Sequence, residues 1–152
     1  MNERPRKRVL FVCFGNACRS QMAEGFARLL GSDCMIPASA GLHPAYAVAP
    51  DTIRAMAEKE IDLREHFPKS IRNLGRAQFD IVVNMSDSFL PEEPGVRLVE
   101  WEVPDPIDMD YDDHCKVRDL IERKVMELVL EMRRERDTTQ FRGQGSGGRQ
   151  PR

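Results

Sequence analysis

Residues 9–25 read VLFVCFGNACRSQMAEG, and this stretch decides the fold. Its first four residues form an unbroken apolar run, which is typical of a strand covered on both faces. A helix-forming segment follows from Ser20. In a strand–loop–helix unit of this kind, the backbone N–H groups of the loop and the N-terminus of the helix point at the same spot. The stretch therefore predicts a cradle for phosphate or a similar oxyanion.

Two residues at the ends of this loop carry the chemistry. Arg19 offers a planar fork of N–H donors that matches two oxygens of a tetrahedral anion. Cys13 would face the partial positive charge of the cradle, which is the setting in which a thiolate acts as a nucleophile. We therefore predict that Cys13 attacks a bound phosphoryl group and that Arg19 holds that group.

Three further residues are suited to shaping the loop. Gly15 can adopt a positive φ, which a tight anion-binding loop often requires. Asn16 can brace the loop through its side-chain amide, and Ser20 can cap the helix while offering its hydroxyl to the sulfur of Cys13. The residues predicted to bind the anion are Phe14, Gly15, Asn16, Ala17, Cys18, Arg19 and Ser20.

The loop sequence CFGNACRS, residues 13–20, resembles the phosphate-binding loop of the low-molecular-weight protein tyrosine phosphatase superfamily, which includes the thiol-linked arsenate reductases. Residues 101–106, WEVPDP, resemble the acid loop of that superfamily, whose Asp-Pro pair carries the general acid. Residues 39–41, SAG, match as well, and the similarity runs over roughly residues 9–132. The resemblance implies that Asp105 is the general acid.

A phosphatase mechanism follows from these residues. Cys13 would attack phosphorus in line, while Arg19 and the loop amides would stabilise the charge on the equatorial oxygens. Asp105 would protonate the departing oxygen and then, once ionised, act as the base when water hydrolyses the thiophosphate. We expect no metal and no other cofactor. The favoured hypothesis is a cysteine-dependent phosphomonoester hydrolase that acts on a phosphorylated protein or a small phosphoester.

The residues around the predicted site bear on the choice of substrate. Tyrosine phosphatases of the superfamily usually follow the Asp-Pro pair with an aromatic residue that walls a slot for a phenyl ring, whereas this chain has Ile107. Tyr46, in the loop HPAYAVAP, is a candidate for one aromatic wall of that slot, and a surface packing role is its alternative. Phosphotyrosine is therefore not specified by the motifs alone.

An arsenate reductase is the alternative hypothesis. Residues 21–25, QMAEG, resemble that branch of the superfamily more than the phosphatase branch. Its thioredoxin-linked members pass the oxidation to two cysteines downstream of the third strand, yet residues 85–94 contain no cysteine. Such a reductase would therefore use Cys13 with an external thiol reductant. A non-catalytic oxyanion-binding module is a third hypothesis, and the presence of Cys13, Arg19 and Asp105 argues against it.

Cys18, inside the loop, has two interpretations. By resemblance to some family members it would form a protective disulfide with Cys13 under oxidation, which makes it a candidate redox partner; otherwise it is an inert packing residue. His66 also has two interpretations. It either joins the hydrogen-bond network behind the loop through Asn16 or is an ordinary surface histidine.

Strands and helices alternate along the rest of the chain. Apolar runs predict strands over residues 35–38, 79–84 and 96–99, and helical spacing predicts helices over residues 50–60 and 113–136. The longer helix carries an apolar stripe that should pack on the sheet. This alternation implies a single α/β domain with a four-stranded, parallel, doubly wound sheet and helices on both faces. In such folds ligands bind beyond the carboxyl ends of the strands.

Composition bounds the domain count and the partners. The chain has 152 residues, 41% of them hydrophobic, which suffices for one core. We predict a catalytic domain over residues 1–137 and a disordered tail over residues 138–152, which are rich in Gly, Gln and Arg. The net charge of -2 predicts no nucleic-acid and no membrane partner. The basic start is not followed by a signal-peptide core, so we expect a cytoplasmic protein.

Overall fold

The computed structural model describes residues 5–148, and of residues 140–148 it describes only the backbone. Four parallel strands form one sheet in the order β2-β1-β3-β4. The predicted single-domain α/β fold with a four-stranded parallel sheet is therefore confirmed. The strands are β1 (Lys7–Cys13), β2 (Met35–Gly41), β3 (Ile81–Asn84) and β4 (Arg97–Glu100). The α-helices are α1 (Arg19–Leu30), α2 (Pro50–Ala57) and α3 (Tyr111–Gly148), and two short 3-10 helices cover Ile71–Asn73 and Arg76–Gln78.

Alternation along β1 divides the core between the two faces of the sheet. Val9, Phe11 and Cys13 belong to the larger apolar cluster, which includes side chains from all three α-helices. Leu10 and Val12 belong to a smaller cluster on the other face, which is covered by the two 3-10 helices and the adjoining loops. All five of these side chains are buried, as the unbroken apolar run predicts.

The apolar stripe of α3 packs into the larger cluster, where it meets α1 and the sheet. Among the side chains that the structure describes, which end at residue 139, Met132 is its last buried apolar one. The helix nevertheless continues to Gly148, so residues 138–148 of the predicted tail have a helical backbone. A helix that has already nucleated gains one hydrogen bond for each added residue, which allows it to extend beyond its packed part. Residues 149–152 lie outside the described residues, and the domain boundary at residue 137 stays a prediction.

The strand order places one crevice at the carboxyl ends of β1 and β3. The chain passes from β1 to β2 on one side of the sheet, and later enters β3 on the other side of β1. A reversal of this kind leaves a gap between the connections that follow the two central strands. The loop after β1, the loop after β3 and the loop between β4 and α3 all meet at this edge. No helix of the described part of the chain is both long and apolar enough to cross a membrane.

Candidate active site

The loop after β1 turns its carbonyl oxygens outward. The carbonyls of Cys13, Phe14, Gly15 and Ala17 accept hydrogen bonds from backbone N–H groups in residues 42–49, at 2.8–3.2 Å. In a planar trans peptide the N–H points opposite to the C=O. The amide N–H groups that follow these four carbonyls therefore face the inside of the loop. They belong to Phe14, Gly15, Asn16 and Cys18.

Asn16 holds the loop in this shape from behind. The sequence assigned a positive φ to Gly15. In the structure the left-handed conformation falls on Asn16 instead, whose φ is 53°. Asparagine tolerates this region better than most residues because its short side chain forms local hydrogen bonds. Its Nδ2 donates to Ser20 Oγ at 2.7 Å and to Ser39 Oγ at 3.0 Å. Its Oδ1 accepts from the backbone N–H of Lys69 at 2.8 Å.

The sulfur of Cys13 lies at the floor of the loop and is 2% exposed. Ser20 Oγ lies 2.9 Å from it, and the backbone N–H of Ser20 donates to it at 3.4 Å. Because Ser20 Oγ already accepts from Asn16, its own proton is free to be donated to a thiolate at Cys13. The residue at the N-cap of α1 is Cys18, so Ser20 supports the sulfur and does not cap the helix.

Arg19 is the second element of the anion cradle and is 2% exposed. Its Nη1 donates to the backbone carbonyls of Met85 and Val103, the latter at 3.1 Å, and to Asp87 Oδ2 at 3.2 Å. Its buried Nε has no acceptor among the described residues. A buried donor without a partner is costly, so an anion oxygen in the loop would fit this nitrogen.

Asp105 lies at the mouth of the same site. Its Oδ2 is 3.5 Å from Arg19 Nη2, and its Oδ1 accepts from the backbone N–H of Ile107 at 3.2 Å. The side chain is 44% exposed, so it can exchange protons with solvent. The structure thus brings together Cys13, Arg19 and Asp105, which lie far apart in sequence.

These residues line one cavity of about 290 Å³. Tyr46 does not reach it, because its side chain is fully exposed. Phe14 and His43 are instead the rings beside the cavity, with centroids 5.0 Å apart. A larger cavity of about 440 Å³ lies at the opposite end of β1, away from Cys13. The smaller cavity is lined by Cys13, Phe14, Gly15, Ala17, Cys18, Arg19, His43, Ala45, Asp105 and Ile107.

Cys18 lines the cavity as a buried free thiol. Burial raises its pKa to about 11, although a hydrogen bond with the Thr52 side chain acts in the opposite direction. Cys18 is therefore protonated near neutral pH and is a weaker nucleophile than a thiolate would be. Cys13 is also a free thiol, and both sequence interpretations of Cys18 stay open.

A further polar layer supports Asn16 from α1. Gln21 Nε2 donates to Asn16 Oδ1 at 3.1 Å, and Gln21 Oε1 lies 3.0 Å from His66 Nδ1. His66 therefore joins the network behind the loop, with Gln21 as the intermediary. Ser39 Oγ, which accepts from Asn16, donates to the buried carboxylate of Glu24 at 2.6 Å. The contact between Gln21 and His66 could not be predicted from the sequence, because the two residues are 45 positions apart.

Sequence reasoning missed four residues that lie at or behind the cavity. His43 carried a signal, because it sits two residues after the SAG motif. Asp87 carried none, since its contact with Arg19 spans 68 positions. Thr52 and His114 form a buried pair that sequence patterns do not reveal. In the described part of the chain, no group of three or more His, Cys, Asp or Glu side chains is arranged to hold a metal ion.

Known proteins resemble this chain along most of its length. The sequence profile of the family described as low molecular weight phosphotyrosine protein phosphatase matches residues 8–138. An arsenate reductase of Staphylococcus xylosus is 39% identical over 132 residues, which cover 82% of this chain and 98% of the relative. An arsenate reductase of Staphylococcus aureus strain N315 is 34% identical over 131 residues, with 82% and 98% covered.

Solved structures show the same relationship. A structure described as an arsenate reductase in the phosphate binding state matches with a TM-score of 0.75 and 31% identity, covering 83% of this chain and 98% of that one. The tyrosine phosphatase Wzb from Escherichia coli K30, in complex with sulphate, matches with a TM-score of 0.73 over 84% and 99% of the two chains. At 23% identity, the second match concerns the fold alone. The names of the relatives thus fit the alternative hypothesis, an arsenate reductase, better than the favoured phosphatase.

Proposed function

Because the chain belongs to the low-molecular-weight phosphotyrosine protein phosphatase family, we propose that it is an enzyme of that family which reduces arsenate through Cys13 with the help of an external thiol. The observation that carries this proposal is its 39% identity to a named arsenate reductase along nearly the whole of that relative. The cavity is consistent with a small tetrahedral anion, since Arg19 and the anion loop line it and Ile107, not an aromatic residue, follows the Asp-Pro pair.

The first step uses only groups that converge on the cavity. The thiolate of Cys13 attacks arsenic, and Arg19 with the inward amides stabilises the remaining oxygens. Asp105 donates a proton to the departing hydroxide, which leaves as water. The product of this step is an adduct in which arsenic, still pentavalent, is bound to the sulfur of Cys13 and keeps its three other oxygens.

The second step needs electrons. An external thiolate attacks the sulfur of Cys13 and forms a mixed disulfide, while arsenic leaves with the electron pair as arsenite. A second external thiol then restores Cys13 and forms an external disulfide. Two thiols are thus oxidised for each arsenate reduced. We assign the thiol to an outside donor because residues 85–94 contain no cysteine and because the neighbouring Cys18 is protonated. A cytoplasmic location, which we include in the proposal, would supply such thiols.

A cysteine-dependent phosphomonoester hydrolase is the second candidate, favoured by the position of Asp105. A carboxyl group 3.5 Å from Arg19 and partly open to solvent can protonate a leaving alkoxide or phenoxide and then activate water. Phosphate and arsenate are both tetrahedral oxyanions, so the first step is shared by the two candidates. They differ in what frees Cys13 from its covalent adduct. In the reductase it is an external thiol, and in the hydrolase it is water.

The deciding experiment supplies full-length protein with arsenate or para-nitrophenyl phosphate, each with and without a small-molecule thiol. Arsenite formed only when thiol is present supports the reductase. Rapid phosphate release that is independent of thiol, with no arsenite formed, supports the hydrolase. Cys13→Ser should abolish either activity, whereas Cys115→Ser makes the same chemical change at a partly buried residue that does not line the cavity and should leave the activity unaltered. Wild-type turnover by Cys13→Ser would overturn both candidates.

Two further variants test the other roles. Asp105→Asn should slow the first step by about a hundredfold or more, in the range of a lost general acid. Arg19→Ala should impair both turnover and phosphate binding, because it removes the buried cation of the cradle. Folded protein that binds phosphate yet turns over neither substrate would instead indicate the non-catalytic oxyanion-binding module.

A further inference from the structure

A buried chain of polar side chains runs from the anion loop to the acid loop. Cys18 lines the cavity, and its thiol forms a hydrogen bond with the side chain of Thr52 on α2. Thr52 Oγ1 lies 2.9 Å from Nε2 of His114, in the first turns of α3. Thr52 is 0% exposed and His114 is 1% exposed, so solvent cannot replace these contacts.

The other ring nitrogen of His114 faces the acid loop. Its Nδ1 is buried and has no well-formed hydrogen bond among the described residues. The backbone carbonyl of Pro106 lies close enough to the ring to raise its pKa. That carbonyl accepts from the backbone N–H of Met109 at 3.0 Å and keeps a second lone pair. Pro106 directly follows Asp105, so any shift of this carbonyl also moves the predicted general acid.

The surroundings of His114 favour its neutral form. Burial lowers its pKa, although the charges of Asp51 and Asp105 and the Pro106 carbonyl act in the opposite direction. A neutral imidazole carries one N–H. With the proton on Nδ1, Nε2 can accept from the hydroxyl of Thr52, and the N–H then points toward Pro106. In this arrangement each donor along the chain has an acceptor except the Nδ1–H of His114, which has no partner among the described residues.

We propose that His114 is a positioning residue for Asp105: its Nδ1–H completes a hydrogen bond to the Pro106 carbonyl when the acid loop closes on a bound oxyanion. The inference rests on the proposed function, in which Asp105 is the general acid. An unsatisfied buried donor gains free energy when it finds its acceptor, so it favours the closed loop. Hydrogen bonds at active sites are often long in the empty enzyme and shorten once a ligand is bound.

Two substitutions separate the two ring nitrogens. The amide nitrogen of Asn lies near the position of Nδ1, whereas the amide of Gln lies near the position of Nε2. His114→Asn therefore keeps a donor toward Pro106, and His114→Gln keeps only the partner of Thr52. If His114 served only to fill space, His114→Asn would not be expected to retain more activity than His114→Gln.

The first readout is the dependence of kcat/KM on the leaving group, measured with phenyl phosphate and para-nitrophenyl phosphate. Phenoxide leaves poorly and needs the acid, whereas para-nitrophenoxide needs it far less. We expect His114→Gln to lower kcat/KM by about tenfold for phenyl phosphate, with a much smaller loss for para-nitrophenyl phosphate. His114→Asn should restore the wild-type ratio of the two substrates. Equal losses for both substrates in both variants would overturn the proposal.

The second readout does not depend on turnover. Trp101, the single tryptophan of the chain, begins the acid loop, where its ring lies 5.9 Å from that of Phe11. Titration of its fluorescence with inorganic phosphate should report loop closure. We expect a phosphate-dependent change in wild type and His114→Asn that is lost in His114→Gln. The same change in His114→Gln would overturn the proposal. Wild type that shows this change without Cys13-dependent turnover would refute the proposed function, whereas wild-type turnover with the same change in His114→Gln would refute only the inference on His114.

Discussion

Gly41 shows how one residue can set the geometry of the anion loop. A Cβ atom at this position would lie 2.8 Å from both the backbone nitrogen of Asn16 and the carbonyl oxygen of Phe14. Those atoms belong to the loop backbone, so they cannot move aside without distorting the cradle. The end of β2 lies this close to the loop, and Ser39, two residues before Gly41 on the same strand, accepts a hydrogen bond from Asn16.

We therefore expect Gly41→Ala to lower the free energy of unfolding by about 2 kcal/mol or more, in the range of overpacked buried sites. It should also abolish phosphate binding. Chemical denaturation and a phosphate titration check these two effects. Gly15→Ala is the matched control for stability, because a Cβ there would meet Ala45 Cβ at an ordinary 3.7 Å. A Gly41→Ala variant as stable as Gly15→Ala would contradict the steric account.

Among the elements, α3 is tied to the turn before β2 as well as to the core. Arg133 donates to both carboxylate oxygens of Asp33, at 2.8 and 2.9 Å, and Arg136 donates at 3.2 Å. The hydrogen bonds from Arg133, followed by one from the backbone N–H of Asp33 itself and then the one from Arg136, lower the pKa of Asp33 from 3.8 to about 2, although partial burial acts in the opposite direction. A carboxyl with a lowered pKa stabilises the fold above its ordinary pKa, and this contribution is lost as the pH falls through the folded value.

The contribution of Asp33 should therefore be complete above about pH 5, decline between about pH 4 and pH 2, and be absent only near pH 1. Because its side chain is 45% exposed, we expect Asp33→Asn to cost only about 1 kcal/mol or less at neutral pH. Denaturant unfolding of both proteins between these pH values measures the difference. As a control, Glu127→Gln removes one negative charge from an exposed position of α3. A difference that does not shrink toward low pH would contradict the assignment.

The last turns of α3 lack the apolar stripe that anchors the rest of the helix. No side chain after Met132 is among the buried hydrophobic residues of the described part of the chain. A chain ending at Asp137 should therefore match the full chain in free energy of unfolding within about 0.5 kcal/mol. Denaturant unfolding of the two lengths tests the predicted domain boundary. A loss above about 1 kcal/mol would place residues 138–148 within the stable domain.

At the scale of the whole molecule, the anion site is assembled from loops that follow β1, β3 and β4. Arg19 joins all three, because it begins α1 and donates to Met85, Asp87 and Val103. A ligand that satisfies the unpartnered Nε of Arg19 should therefore stabilise the entire domain.

Phosphate at about a hundred times its Kd should add roughly 2.7 kcal/mol to the free energy of unfolding. In a domain of this size that corresponds to an increase in Tm of about 5–10 °C. Thermal unfolding with and without phosphate measures it. Cys13→Ser should keep most of the increase, because the cradle of amides and Arg19 remains. Arg19→Ala should lose it, and an unchanged increase in Arg19→Ala would mean that phosphate binds elsewhere.

The local patterns of the sequence determined much of this molecule. The apolar run before Cys13, the spacing to Arg19 and the stripe on α3 predicted β1, the anion loop and the long helix. These features depend on neighbours within a few residues, where strand and helix periodicity operate. The acid loop was identified by resemblance, and the expectation that it lies beside Cys13 followed from the strand ends of a parallel sheet.

Tertiary structure alone decided the features that depend on distant contacts. It put the left-handed backbone on Asn16, kept Tyr46 out of the cavity, and aligned Thr52 with His114 across 62 positions of sequence. It also left Arg19 Nε without an acceptor among the residues that the structure describes. These outcomes depend on how the elements pack and on which buried polar groups find hydrogen-bond partners. The local periodicity of the sequence does not determine either of them.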